Sequence, residues 1–176
     1  MKRIMGLLLC GYALTAFALT SGEMDAGVSQ QTAIPLPRVK SVLDAYEEKL
    51  KTEAAAGRAV NMEGFGTMNP RSVQGTRTGR TISGGTVTYQ NWKLVKNPQV
   101  VSDKTLYTPE DEAIIAAYKN NAQSVMRKGG VFTSRGLGSF KVGKLAATKK
   151  LPARRVAKFS SSKSGMHQKF VPAASL

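Results

Sequence analysis

The sequence predicts an α+β fold built from two copies of one unit. A glycine, an apolar residue, a second glycine and a hydroxyl residue occur as Gly64-Phe65-Gly66-Thr67 and again, 72 positions later, as Gly136-Leu137-Gly138-Ser139. At the same offset Pro37 aligns with Pro109 without a gap. Each copy then has the same order: a proline, an amphipathic helix, a glycine, a strand, the Gly-x-Gly turn and a basic strand.

The helix of the first copy is predicted between Pro37 and Gly57. Proline is favoured in the first turn of a helix and glycine just past its last turn. Apolar residues recur between them at spacings of three and four, the period of a helix with one buried face. This stripe consists of Val39, Val42, Leu43, Tyr46, Leu50 and Ala54.

The helix of the second copy is predicted between Pro109 and Gly129. Acidic residues at 110–112 lie where the helix dipole favours negative charge. Its apolar stripe consists of Ile114, Ile115, Tyr118, Ala122, Val125 and Met126. Neither helix covers enough surface alone, so we expect the two copies to pack on each other.

The first 18 residues have the layout of a secretory signal peptide. Lys2-Arg3 precede an apolar run from Ile4 to Leu14, and Ala16-Phe17-Ala18 supplies small residues for cleavage. An uncleaved anchor and a lipid anchor at Cys10 are the alternatives. We expect an exported protein, periplasmic or extracellular, with an organelle or the nucleoid as the alternative location.

The residue inventory favours binding over catalysis. Cys10 is the only cysteine and His167, in the polar tail, is the only histidine. Disulfides and a cysteine-ligated metal site are therefore not expected in the mature chain. There is also no phosphate-binding loop of the glycine-lysine-serine kind. We expect no metal, no cofactor and no enzymatic activity.

Charge is strongly asymmetric along the chain. The formal net charge is +15, and every acidic residue lies at or before Glu112. Residues 113–176 therefore carry only positive charge. A basic surface of this density attracts polyanions, of which nucleic acid is the commonest and anionic lipids or acidic glycans are the alternatives.

The motifs after the first Gly-x-Gly turn resemble those of one protein family. Met68-Asn69-Pro70-Arg71 come after the turn, then Gly75-Thr76-Arg77-Thr78-Gly79-Arg80, then Gly84-Gly85 and the strand-like Thr86-Val87-Thr88-Tyr89. This order resembles the HU/IHF family of bacterial histone-like, nucleoid-associated proteins. In that family a helix leads into a glycine-phenylalanine-glycine-threonine strand and a long two-stranded arm with arginine-threonine-glycine-arginine.

The second copy resembles the same family over other parts. Residues 135–144 are similar to its central strand, residues 152–159 are similar to its return strand, and Ser162-Lys163 are similar to the segment beyond that strand. The resemblance implies tandem units that form an intramolecular pseudo-dimer, with a helical base, an antiparallel β saddle and one protruding β arm. It implies a chain that is monomeric or nearly so.

Two features depart from the family pattern. Family members have a helix ahead of the one described, whereas Leu19 to Leu36 looks short and irregular. The second copy has only Leu145 to Leu151 in place of a long arm. The predicted divisions are a signal peptide at 1–18, an irregular segment at 19–36, a first unit with arm at 37–96, a linker at 97–108, a second unit with a shortened arm at 109–163 and a tail at 164–176.

The resemblance also assigns residues to DNA. A β ribbon can lie in a groove, where Arg77 and Arg80 are expected in the minor groove and Thr78 and Gly79 permit close backbone approach. Ile82 stands where the family places a proline wedge. Residues expected at phosphates are Arg71, Lys141, Lys144, Lys149, Lys150, Arg154, Arg155 and Lys158.

The function expected from these features is architectural, largely sequence-independent binding, bending and condensation of double-stranded DNA. The alternative is an exported basic protein that binds anionic surface polymers, lipids or extracellular DNA. The signal-type N-terminus motivates that alternative.

Overall fold

The computed structural model describes residues 18–147, 152–162 and 168–173. Within these ranges the chain is a mixed α+β protein with three α-helices and two mixed sheets. The signal-type segment up to Phe17 and most of the tail lie outside the described residues. Among the residues described, no helix has both the length and the apolar character needed to cross a membrane.

Both repeated helices are confirmed. Helix α2 spans Leu36–Ala55 and α3 spans Glu112–Arg127, and the predicted stripes are buried apart from Val125, which is partly buried. Each helix ends in a Schellman pair of hydrogen bonds, from Gly57 and Arg58 in one case and from Gly129 and Gly130 in the other. The 72-residue repeat is therefore reproduced at the C-terminal end of each of these two helices.

A further helix, α1, occupies Ser21–Thr32, where an irregular segment was expected. The side chain of Thr20 accepts the amide hydrogen of Glu23, and the Glu23 carboxylate accepts that of Thr20, which forms a capping box. Met24 and Val28 are the fully buried apolar side chains of α1. Two such residues are too few to form an apolar stripe from which the sequence would predict this helix. The cap and contacts with α2 and α3 hold it instead.

Asp25 of α1 is also buried and faces Arg135, whose guanidinium lies 2.8 Å from its carboxylate. Burial raises the pKa of Asp25, and the charge and hydrogen bond of Arg135 oppose that shift. Arg135 also contacts Asp44 at 3.1 Å. This arginine therefore links the N-terminal helices to the second copy.

The first sheet contains β2 (Ala59–Met62), β3 (Gly66–Arg80), β4 (Thr86–Leu94) and β5 (Val100–Ser102). The second contains β1 (Ala18–Leu19), β6 (Val131–Ser134), β7 (Gly138–Leu145) and β8 (Arg154–Ser161). The remaining strand, β9 (Gln168–Pro172), joins the first sheet beside β3.

The two sheets repeat the same register. Val60 pairs with Met68 across β2 and β3, and Phe132 pairs with Phe140 across β6 and β7, again 72 positions later. Outside these hairpins, β5 runs parallel to β2 and β1 runs parallel to β6. The similarity between the copies therefore extends to the parallel edge strands β5 and β1, which lie outside the repeat found in the sequence.

The expected linker and tail both contain regular structure. Residues 97–108 include β5 and a 3₁₀ helix at Asp103–Leu106, and Ser102 caps this helix through the amide of Lys104. A second 3₁₀ helix spans Pro109–Asp111. In the tail, β9 pairs antiparallel with Gly66–Pro70. Because Phe170 contacts Phe65 at 4.9 Å between ring centroids, the end of the chain completes the core of the first unit.

Gly66 and Gly138 occupy equivalent places where no other residue fits. Their φ angles are 152° and 139°. A Cβ on Gly66 would lie 2.5 Å from the carbonyl oxygen of Val171, and one on Gly138 would lie 2.2 Å from that of Ser160. The second glycine of each Gly-x-Gly pair thus lets a neighbouring strand approach closely.

Buried polar groups join each helix to the other copy. Tyr118 of α3 donates its hydroxyl to Glu47 of α2 at 2.9 Å, and Glu47 accepts the amide hydrogen of Gly136 at 2.9 Å. Asp103, fully buried, accepts from Tyr46 at 3.0 Å and from Lys119 at 2.7 Å. Burial raises the pKa of both tyrosines well above its ordinary value, and the neighbouring carboxylates add to the shift.

Candidate nucleic-acid interface

Five of the strands carry positive charge without any negative charge. Strands β3, β4, β7, β8 and β9 contain no acidic residue. The acids lie instead on the helices, the 3₁₀ helices and the turn after β2. The basic residues of the five strands are Arg71, Arg77, Arg80, Lys93, Lys141, Lys144, Arg154, Arg155, Lys158 and Lys169. The fold therefore keeps the acidic residues off these five strands, whereas the helices and turns carry both signs of charge.

The ion pairs also lie away from the five acid-free strands. Within the described part of the chain, the ion pairs join side chains of the helices, of the 3₁₀ helices and of the turns. None of these pairs involves Arg71, Arg77, Arg80, Lys141 or Lys158. These cations are therefore not neutralised by a described carboxylate and remain available to an external anion.

The hairpin of β3 and β4 presents the predicted arm. The strands pair antiparallel from Arg71 opposite Leu94 to Arg80 opposite Thr86. Arg77, Thr78 and Arg80 are exposed. The β7 strand has 8 residues, against 15 for β3, so the second copy has the shorter hairpin among the residues described.

Ile82 lies at the tip of this hairpin. The amide of Thr81 donates to the carbonyl of Gly85 at 2.7 Å, and the amide of Gly84 donates to the carbonyl of Thr81 at 2.9 Å. The Thr81 hydroxyl accepts from the Gly85 amide at 2.9 Å. This tight loop leaves the Ile82 side chain fully exposed, at 111 % of its reference area. The hairpin tip therefore presents one apolar side chain to solvent.

A β-bulge separates the base of the hairpin from Arg77 and Arg80. Pairing is regular up to Val73 and resumes at Thr76, so β3 contains one extra residue there. Beyond the bulge side chains alternate, so Arg77 and Arg80, three positions apart, lie on opposite faces of the ribbon. Arg77 stacks over its cross-strand partner Tyr89, with 5.6 Å from Cζ to the ring centroid. Tyr89 is not among the residues that the sequence predicts for the site, and the expectation that both arginines lie in the minor groove stays a prediction.

Gly79 lies beside this ring, and a Cβ there would come 2.9 Å from Tyr89 Cε2. At the base of the hairpin, Arg71 is half-buried and donates to the carbonyl of Trp92 at 3.1 Å. This bond directs its guanidinium along the ribbon. Arg71 is therefore more constrained than the arginines nearer the tip.

The second basic hairpin brings like charges together. Lys141 pairs with Lys158, and Lys144 pairs with Arg155, across β7 and β8. Directly opposite like charges destabilise a sheet, which suggests that they serve a contact with an anion. The Lys158 side chain lies over Gly143, whose Cβ would come 2.5 Å from Lys158 Cε. Arg155 donates to the carbonyl of Arg127 at 3.0 Å, so part of its guanidinium caps α3.

Several predicted contacts lie outside the described residues. These are Lys149 and Lys150, together with the side chains of Lys144 and Arg154. Conversely, Lys169 was assigned to a tail, but it lies on β9 beside the base of the hairpin. The sequence Gln168-Lys169-Phe170-Val171 does not alternate polar and apolar residues, so it gave no strand signal, and only the burial of Gln168 and Phe170 alternates with exposure of Lys169 and Val171. Among the described residues, no cluster of three potential metal ligands is present.

Comparison with models of known protein families and with curated proteins finds no match to the chain.

Proposed function

We propose that the protein is an architectural DNA-binding protein of HU/IHF type. The observation that carries the proposal is the exposed β3–β4 hairpin, which has arginines on both faces, no acidic residue and an exposed isoleucine at its tip. A ribbon of this kind lying in a groove would present Arg77 and Arg80 to opposite walls. Ile82 would then enter between base pairs as an apolar wedge.

The repeated architecture supports an intramolecular pseudo-dimer. Helix α1 precedes α2 in the first unit, which is the arrangement that the resemblance implies and that the sequence had seemed to lack. In the second unit the 3₁₀ helix at Asp103–Leu106 occupies the corresponding place between β5 and α3. The helical base would carry the two sheets as a saddle, with one arm and one short basic hairpin.

Binding should be led by phosphate contacts and DNA shape. The cations on β3, β7 and β8 are arginines and lysines without described carboxylate partners, and no recognition helix is needed to place them. Such contacts release counterions and carry little sequence information. Double-stranded DNA is therefore the proposed partner, and its bending and condensation are the proposed outcome.

The signal-type N-terminus supports one alternative. An exported protein with this surface would meet anionic polymers, lipids or extracellular DNA rather than a chromosome. We place the protein outside the cytoplasm on that basis, with an organelle or the nucleoid as the other location.

A gel-shift series on duplex DNA across salt concentrations, with heparin as competitor, tests the function. We expect affinity to fall with a slope of about 0.9 in log K against log salt for each phosphate contacted. Substitution of Lys141→Ala with Lys158→Ala should lower that slope. Lys40→Ala with Lys51→Ala on α2 is the matched control for charge. A flat salt response, or tighter binding to heparin than to DNA, would exclude the proposal in favour of the alternative.

A further inference from the structure

A cavity of about 310 Å³ lies at the base of the β3–β4 hairpin, between that hairpin and strands β8 and β9. Cationic, aromatic and amide side chains all line it. Arg71 and Trp92 come from the hairpin, Phe159 from β8, and Gln168 and Lys169 from β9. Its volume lies at the lower end of the range for small-molecule pockets.

Gln168 is the least expected residue of this lining. Its side chain is 1 % exposed, and among the described residues neither its Oε1 nor its Nε2 has a hydrogen-bond partner. Buried amides are almost always satisfied, so an unsatisfied one points to a missing partner. Gln168 lines the cavity, and its pairing with Pro70 holds its backbone in β9.

The chemistry of this amide matches a nucleobase. A glutamine offers one acceptor next to one donor, and base edges such as N6 and N7 of adenine offer the complementary pair. Trp92 and Phe159 supply flat rings of the kind on which unstacked bases rest. Phe159 is itself held by Phe140, at 4.7 Å between ring centroids.

The cations of the cavity complete a nucleotide site. Arg71 is oriented by its bond to the Trp92 carbonyl, and Lys169 is exposed at the rim. No described carboxylate forms an ion pair with either side chain. Both can therefore contact a phosphate attached to the base's own sugar.

We propose that this cavity binds one nucleotide whose base has left the duplex stack. The base would lie against Trp92 with its edge at Gln168, and its phosphate would contact Arg71 and Lys169. The source of that nucleotide rests on the proposed function, because DNA lying along the ribbon passes the hairpin base. Binding of a free nucleotide to this cavity does not depend on the proposed function.

Trp92 is the only tryptophan of the chain, so its fluorescence reports on this site directly. The full chain is titrated with deoxyadenosine monophosphate and, separately, with inorganic phosphate. We expect saturable quenching by the nucleotide and none by phosphate over the same range. Gln168→Leu should weaken nucleotide binding about tenfold, because one hydrogen-bonded pair is lost. Lys93→Ala, on the opposite face of the hairpin base, is the control and should leave nucleotide binding unchanged.

Thermal melting of each variant accompanies the titration. If Gln168→Leu does not fold, Lys169→Ala replaces it, because this exposed side chain contributes only the phosphate contact. Duplex binding is measured in parallel by gel shift. Duplex binding without nucleotide quenching, or quenching that neither variant weakens, would overturn the site. Quenching that depends on Gln168 or Lys169 without duplex binding would support the site and reject the architectural function.

Discussion

The rings of Tyr46 and Tyr118, equivalent residues of the two copies, meet edge to face with centroids 6.4 Å apart. Each hydroxyl donates to a buried carboxylate, Tyr46 to Asp103 and Tyr118 to Glu47. The next position differs between the copies, with Glu47 in one and Lys119 in the other. The two copies therefore contact each other through equivalent tyrosine rings, but the charged residues that follow these tyrosines differ between the copies.

These two tyrosines should make stability fall at alkaline pH. In the unfolded chain the phenol pKa is near 10.0, whereas burial holds the pKa of both well above that value in the fold. Above pH 10 the folded state keeps protons that the unfolded state loses. The free energy of unfolding should therefore decline, by up to about 1.4 kcal/mol per pH unit for each tyrosine.

Urea unfolding at about pH 9 and about pH 11 measures this decline. Tyr118→Phe should remove roughly half of it, and Tyr89→Phe on the exposed hairpin is the matched control. An identical decline in wild type and Tyr118→Phe would contradict the assignment.

Lys119→Met should destabilise the fold strongly. It removes the cation 2.7 Å from Asp103, a carboxylate that is fully buried. Breaking one side of a buried pair costs about 3–5 kcal/mol. Chemical denaturation provides the measurement, and Lys104→Met, which breaks an exposed pair with Glu63, should cause no measurable loss. Equal effects of the two substitutions would show that burial of Asp103 is unimportant.

Gly66→Ala and Gly138→Ala should each destabilise the protein by more than about 2 kcal/mol, because the new methyl group meets backbone atoms of a neighbouring strand. Gly22→Ala is the control, since that helical position has open space and alanine favours a helix by up to about 1 kcal/mol. Thermal melting compares the three. Tolerance of alanine at Gly138 would mean that β8 is not held as closely as the register indicates.

Ile82→Ala should reduce DNA bending without changing the salt dependence of binding. The substitution removes the proposed apolar wedge but no charge. Energy transfer between dyes at the two ends of a duplex measures the bend, and Ser83→Ala at the same tip is the control. If neither bending nor preference for nicked DNA changed, the arm would act only through its charge.

Substitutions of the basic residues should weaken binding, in one of two ways. Arg77→Ala with Arg80→Ala should weaken binding and bending together, because these side chains lie on the same arm as the proposed wedge at Ile82. Lys149→Ala with Lys150→Ala should lower the salt slope by up to about 1.8, the value for two lost phosphate contacts, with little change in bend angle. A change in bend angle from the lysine pair would place those residues near the kink.

The chain should be a monomer in solution, because the apolar stripes of both repeated helices are already buried in one core of this chain. Light scattering at micromolar concentration measures the mass. A stable dimer with separately folded halves would contradict the intramolecular pseudo-dimer.

Sequence patterns predicted α2 and α3 because both helices bury an apolar stripe of helical period. Helix α1 escaped prediction because it buries Asp25 beside Met24 and Val28, although the spacing of Thr20 and Glu23 carried the signature of a capping box. The partners of β9 lie about a hundred positions earlier in the chain, so no local pattern shows that Phe170 belongs to the first core. The face that Arg77 takes relative to the hairpin base depends on a bulge that the sequence does not locate.

The position of β9 determines when the protein can finish folding. Gly66 has its strand partner at Pro172, and the amide of Ala173 donates to the carbonyl of Phe65. While the nascent chain is still on the ribosome, the N-terminal half therefore exposes the edge of β3 and the ring of Phe65. Such distant pairing slows folding and prolongs the exposure of an open strand edge. Loss of the segment that contains β9 would consequently damage the N-terminal half of the protein first.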